Sequence, residues 1–316
     1  MTEESRHISV IEPVSVALER VKEVLLRPFD FPRWLAIGFC AWLAYLGEGG
    51  ISNFNYRANN NRNFSQIPSE VANFVNENWP LVIAIGAVVL ILIIAVSIVF
   101  SWLRSRGQFM FLHCIANNEA GVELPWNQYS KEGNRLFVFK LIAGIISFFV
   151  IAFFVVAIII FALLIVERGI SAVAGVTCLI PAVLLFICAA IVMAIFFKFT
   201  TDFVVPIMYL RRCGPAEGWR IFLVLLSSNK GEFFLYILFQ IVLSIIIFAI
   251  RYIAPCCLCC FGGCCVMVLL ALPYVWAVVL LPVLAFSRSY SLYYLRQFGP
   301  EFDVFIPKSV VPLPQV

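Results

Sequence analysis

Histidine occurs only twice in this 316-residue chain, and charged side chains make up just 13% of it. A soluble domain of this size carries roughly 25% charged residues and about 45–50% apolar ones. With 63% hydrophobic residues, the polar groups here are too few to cover a water-facing surface. The two histidines, His7 and His113, leave little raw material for a zinc hydrolase or a histidine-based acid–base site. The first thirty residues have no apolar core of the kind a cleavable signal needs, so the first span is expected to serve as the insertion signal. Charges are also scarce inside the apolar stretches. Lys140, Lys198, Asp202, Glu48 and Glu167 all fall near their ends, where long side chains reach the headgroups. This speaks against an ion or proton path. The small net charge of +4 does not indicate a nucleic-acid partner.

What the sequence does have is long apolar runs. Several exceed the ~18 residues that mark a membrane span. The reading is an all-α, polytopic membrane helix bundle of six transmembrane helices: 31–47, 79–103, 137–166, 170–199, 233–250 and about 256–286. Lys and Arg set its orientation. With Lys140 and Lys198 counted in the connections they adjoin, the N-terminal segment holds five, the second-to-third and fourth-to-fifth connections five each, and the C-terminal tail three. Those eighteen stand against four on the other side, Arg57, Arg62, Arg168 and Arg251. Both termini are thus expected in the cytoplasm. The Asn-rich segment 48–78 becomes an extracytoplasmic loop with too little apolar content to fold alone.

One polar word appears twice. "YLRRCGP" (209–215) returns as "YLRQFGP" (294–300), with a weaker counterpart in "FLHCIANN" (111–118). Each follows an even-numbered span. A proline then opens an apolar–polar stretch, as in "PWNQYSKEGNRLF" and "PAEGWRIFLVLLSSNKGEFF", and "PVSVALERVKEVLL" near the N-terminus has the same form. In that last stretch Val14, Ala17, Leu18, Val21, Val24 and Leu25 fall on one helical face, as expected for a helix lying in the headgroup plane. The chain is therefore expected to consist of a tail (1–12), three parallel repeats (13–118, 119–213 and 214–300), each an interfacial helix plus a helical hairpin, and a second tail (301–316). Aligning the repeats brings Gly38, Gly144 and Gln240 into register, which suggests a helix-packing seam where small residues let backbones approach.

The stretches "RGQFMFLHCI", "PWNQYSKEGNRLFVF" and "TDFVVPIMYLR" resemble uncharacterised bacterial polytopic inner-membrane families. More distantly, the arrangement over roughly 13–300 is similar to the membrane domain attached to some glycerophosphodiester phosphodiesterases. The soluble phosphodiesterase domain has no counterpart here. The resemblance implies a membrane architecture in the bacterial cytoplasmic (inner) membrane and no activity.

Two clusters invite a chemical reading. "CCLCCFGGCC" places Cys256, Cys257, Cys259, Cys260, Cys264 and Cys265 within ten positions, a spacing that suits a soft metal or disulfides. Cysteine is also a small hydrophobe that suits helix packing, and no histidine lies nearby to complete a mixed site, so packing is the favoured reading. His113 and Cys114 are adjacent, and neighbours on a helix point ~100° apart, so they do not form a nucleophile–base pair. Asp202, four residues after Lys198 and four before Pro206, stands as either an ordinary i,i+4 ion pair or a group facing a cavity. No cofactor is expected. The favoured function is a non-enzymatic membrane scaffold, or a factor that binds lipid or a partner, the partner being another protein or a second copy of the chain. A permease for an apolar or small solute is the second reading, and a membrane-embedded enzyme the third.

Overall fold

The computed structural model describes residues 8–47, 77–167, 172–270 and 273–305, and contains only helices among them. In order these are α1 (Glu12–Leu25), α2 (Phe31–Ala44), α3 (Trp79–Asn117), α4 (Glu123–Gln128), α5 (Ser130–Glu167), α6 (Ala172–Phe199), a π-helical turn (Thr200–Val204), α7 (Val205–Arg211), α8 (Pro215–Ser228), α9 (Lys230–Leu270), α10 (Pro273–Val279) and α11 (Leu281–Arg296). A single 3₁₀ turn, Pro300–Phe302, follows.

Four of the described helical stretches are long and apolar enough to cross a membrane: Trp79–Asn117, Ser130–Leu164, Leu179–Arg211 and Lys230–Ile250. Most of their apolar surface is left uncovered by the other described residues. In the first three, nothing in the most apolar eighteen residues is buried. A side chain facing lipid tails gains little by moving against another helix, so such stretches need no protein partner.

Burial begins where the apolar runs stop. α3 has 39 residues, about 58 Å at 1.5 Å per residue, whereas a bilayer's hydrocarbon is ~30 Å thick. The second part of α3 therefore extends beyond the hydrocarbon, and there every residue from Gly107 to Ala116 is buried. Around it gather the apolar stripe of α1, most of α2, the start of α5, the π-helical turn with α7, and α11. The protein thus has two environments. One end is a packed core rich in aromatic rings, and the other is a set of helices exposed along their length.

Several sequence expectations shift accordingly. The second span was expected to end at Leu103, but the helix continues to Asn117 because "RSRGQFMFLHCIAN" contains no proline, and it stops where Asn118 turns left-handed (φ 58°). On α1, Ala17, Val21, Val24 and Leu25 are buried, but against α11 within the core. Leu18 points away and is 47% exposed, since it lies at the edge of the stripe α11 covers. α9 continues through Arg251 and Pro255, where a turn between two spans was expected; apart from these two residues the sequence on either side is apolar. Loop 48–78 lies almost wholly outside the described residues, as do the side chains of the Cys256–Cys265 cluster.

Arginines tie the core to the end of α3. Arg20 donates through Nη2 to the carbonyls of Ile115 and Ala116 (2.9 and 2.8 Å), and Arg33 donates to the carbonyl and side-chain oxygens of Asn118 (both 2.6 Å). A helix leaves its last four carbonyls without intrahelical donors and carries partial negative charge there. Cations at that end supply the donors and complement the dipole.

A cationic cavity at the membrane end of the core

The π-helical turn after α6 shapes the site. Val205 N–H donates to the carbonyl of Thr200, one residue further back than in an α-helix. The carbonyl of Thr201 would then look to residue 206, but that is Pro206, which has no N–H. Arg288, on α11, fills the gap by donating from Nη1 to Thr201 O at 2.6 Å. A carbonyl freed by a widened turn thus draws a guanidinium into the core, where Arg288 is 4% exposed.

Beside it lies a half-enclosed cavity of about 430 Å³ between α3, α5, α6 and α11, bordered also by Tyr45 after α2. Arg104, Lys140, Lys198 and Arg288 line it, and Asp202 is the sole carboxylate among its lining residues. Lys198 pairs with Asp202 at 3.0 Å. Asp202 also accepts from the Tyr236 hydroxyl (3.0 Å), which in turn accepts from Gln240 Nε2 (2.9 Å). Lys140 donates to Gln108 Oε1 (2.7 Å) and, more weakly, to Thr201 Oγ1 (3.4 Å), both neutral acceptors. Ser101, Ser105 and Ser287 add hydroxyls to the wall. Trp102, one residue from Ser101, packs edge-on against Trp126, and Arg106 lies over both rings at 4.7 Å, an interfacial aromatic pair with its cation.

An apolar groove of about 540 Å³ adjoins the cavity between α6 and α9. Ile241, Ile245 and Phe248 form its exposed wall, and it shares Ala194 and Lys198 with the cavity. The two recesses therefore meet at these residues, one of them apolar and the other cationic.

The aligned residues Gly38, Gly144 and Gln240 do not form one seam. Gly38 is tightly covered by α10, with the Val278 side chain 2.8 Å from where a Cβ would sit. Gly144 has nothing within 4 Å of that position and borders the cationic cavity, so the packed contact expected there is missing. Gln240 is buried, but its hydrogen-bond partner is Tyr236 on its own helix, and that hydroxyl in turn reaches another element at Asp202. For Asp202 both sequence alternatives hold at once: it pairs with Lys198 and faces the cavity.

His113 lies 3.1 Å from the Tyr209 hydroxyl and 3.2 Å from the Asn117 amide, whereas Cys114 faces Cys40 (Sγ–Sγ 3.7 Å). They point to different neighbours. Among the described residues no group of three or more His, Cys, Asp or Glu is placed to hold a metal ion. Lys140, expected to reach outward to the headgroups, turns inward because Gln108 and Thr201 offer acceptors there. Arg104 and Arg288 entered the sequence reading only as topology charges. The usable signals were Gln108 four residues after Arg104 on one helical face, and a proline five residues after Thr201.

The long uncovered apolar helices point to a membrane protein, all-helical among the described residues. The chain belongs to a family of unknown function, DUF7544, whose profile matches residues 8–305. No curated protein and no solved structure matches the chain.

Proposed function

We propose that this protein is a non-enzymatic membrane factor that binds lipid. The observation that carries the reading is the apolar groove between α6 and α9, open at membrane depth along Ile241, Ile245 and Phe248 and closed at its inner end by Lys198 and Tyr236. What fills such a groove in a bilayer is an acyl chain. The alternative of an ion or proton path draws no support from the lining, since the groove's one charged residue, Lys198, is held by Asp202. The distant likeness to the membrane domain of glycerophosphodiester phosphodiesterases belongs to this reading as an architecture without an activity. The test uses the full chain, stripped of lipid in detergent and titrated with a bacterial polar lipid extract under native mass spectrometry. Saturable retention is expected, weakened at least about tenfold in Ser244→Trp, which fills the groove from an exposed position. No saturable retention, or equal retention by the variant, overturns the reading.

The same proposal includes six spans in three parallel repeats in a bacterial inner membrane, with both termini cytoplasmic. Its support is the Lys/Arg distribution and the short helices α1, α4 and α8, each preceding a more apolar helix. An impermeant maleimide should label Glu77→Cys in intact cells and Glu301→Cys only after permeabilisation, with the labelled site assigned by peptide mapping. Both positions are exposed. Background from nearby thiols is low: Cys40, Cys114 and Cys213 are buried, and burial, with Glu217 adding to it, pushes the Cys213 thiol up, away from the reactive thiolate. The reverse labelling pattern overturns the orientation.

A further inference from the structure

Resting on the lipid-binding reading, we infer that the cationic cavity takes the phosphate of an anionic phospholipid headgroup, with an acyl chain of the same molecule in the adjoining groove. The charge pattern is the first ground. Four cations and one carboxylate line the cavity, and that carboxylate is committed to Lys198 at 3.0 Å. Among the described residues no carboxylate comes within 4 Å of Lys140 or Arg288. Arg104, Lys140 and Arg288 all line the cavity, so three like charges border one space. Ions withdrawn from water are tolerated when a counter-ion and hydrogen bonds compensate them, and among the described residues no carboxylate does this for Lys140 or Arg288.

The second ground is an unused donor. Arg288 is nine-tenths buried and spends Nη1 on Thr201 O, while its buried Nη2 has no acceptor among the described groups. Buried polar atoms without partners are rare and ask for an explanation. A guanidinium fork matches a phosphate oxygen pair, and an ammonium adds a point charge beside it. Lys140 and Arg288 together offer that donor set.

The third ground is position. The cavity lies at the level of Trp102 and the Arg106 sandwich, where headgroups sit, and it shares Ala194 and Lys198 with the groove that runs toward the membrane interior. A phosphate in the cavity would place the attached glycerol at that shared wall. A free phosphate uses the same donors but leaves the groove without a role.

The test compares three probes on the full chain, stripped of lipid and held in a neutral detergent: phosphatidylglycerol, phosphatidylcholine and inorganic phosphate. Phosphatidylglycerol should bind about tenfold or more tightly than phosphatidylcholine. Lys140→Gln keeps a donor for Gln108 but removes the charge, and should abolish that preference. Lys140→Arg should restore the preference, and an unchanged melting temperature in both variants separates charge from folding. Ser244→Trp should weaken both lipids. Equal binding of the two lipids, or a preference that survives both Lys140→Gln and Arg104→Gln, overturns the headgroup inference while leaving the lipid-binding reading in place. Inorganic phosphate displacing phosphatidylglycerol at equal concentration overturns the lipid source and assigns the cavity to a free anion. Binding of neither lipid removes the lipid-binding reading, and this inference with it.

Discussion

Gly107→Ala should lower the stability of the detergent-solubilised protein by about 3 kcal/mol, at the upper end of what overpacking a helix contact costs. α2 and α3 cross with their backbones in contact at this residue. A Cβ on Gly107 would sit 2.5 Å from the Leu43 carbonyl carbon and 2.6 Å from the Ala44 nitrogen. Backbone atoms cannot rotate out of the way, so α2 would have to move as a body. It is pinned at several points: Arg33 to Asn118, the Trp34 indole donating to the Val278 carbonyl (3.2 Å), and the Tyr274 hydroxyl donating to the Leu35 carbonyl (3.1 Å). Any shift that relieves the clash strains these contacts. Alanine's better helix propensity returns at most about 1 kcal/mol, which does not offset the clash. Gly144→Ala is the matched control. With open space around it, the substitution keeps the propensity gain and should leave stability unchanged or raise it by up to about 1 kcal/mol. Denaturant titration of the two variants beside wild type decides the matter, and a Gly107→Ala protein as stable as wild type would show that the helices do not cross this closely.

The contrast between these two glycines shows where the sequence is legible. Repeat alignment singles out Gly144 and passes over Gly107, because register within a repeat reports shared ancestry or shared topology and says nothing about which surface meets a neighbour. The apolar runs are readable because twenty or so residues of uninterrupted hydrophobicity have few other uses. The extension of α3 to Asn117 is harder to read. Its last turns are mixed in polarity and buried all round by protein, so they show neither a span's continuous hydrophobicity nor a surface helix's stripe.

The repeated word is readable as punctuation, and the structure adds its physical content. In "YLRRCGP" the helix ends as Arg212 turns left-handed (φ 52°), and Tyr209 is buried beside His113; in "YLRQFGP" Tyr294 is buried and donates to the carbonyl of Glu232 at 2.9 Å. An aromatic anchor into the core followed by a helix stop is what the word encodes. The cationic cavity left almost no trace of this kind. Arg104, Lys140, Lys198 with Asp202, and Arg288 come from four separate helical segments, and each alone looks like a charge at the end of a span. Only the fold brings them together, through a π-helical turn whose cause, a proline where a donor is needed, is local but easily passed over.

Phe203→Ala should cost about 3–5 kcal/mol, the range for deleting a large ring from a packed core. Phe203 lies in that same π-helical turn and is fully buried. Its ring stacks on Phe222 (centroids 5.3 Å, planes 9° apart), meets Phe233 edge-on (5.2 Å, 86°) and touches Tyr236 (4.9 Å), the residue that donates to Asp202. Removing it opens a cavity among rings that cannot all collapse inward, and forfeits aromatic pairings worth about 0.5–1.5 kcal/mol each. Phe153→Ala deletes the same ring from α5, where Phe153 is 70% exposed within the apolar stretch. A side chain that faces lipid in the folded protein and in the membrane-inserted unfolded chain contributes little to the difference between them, so this variant should stay within about 0.5 kcal/mol of wild type. Unfolding both proteins in the same lipid–detergent mixture measures the two costs side by side. A large loss for Phe203→Ala with none for Phe153→Ala fits a chain that folds through its headgroup-level core and leaves its spans to lipid. A comparable loss for both would mean that something other than lipid covers the outer face of α5, and a second copy of this chain would be the first partner to seek, by repeating the measurement across protein concentrations.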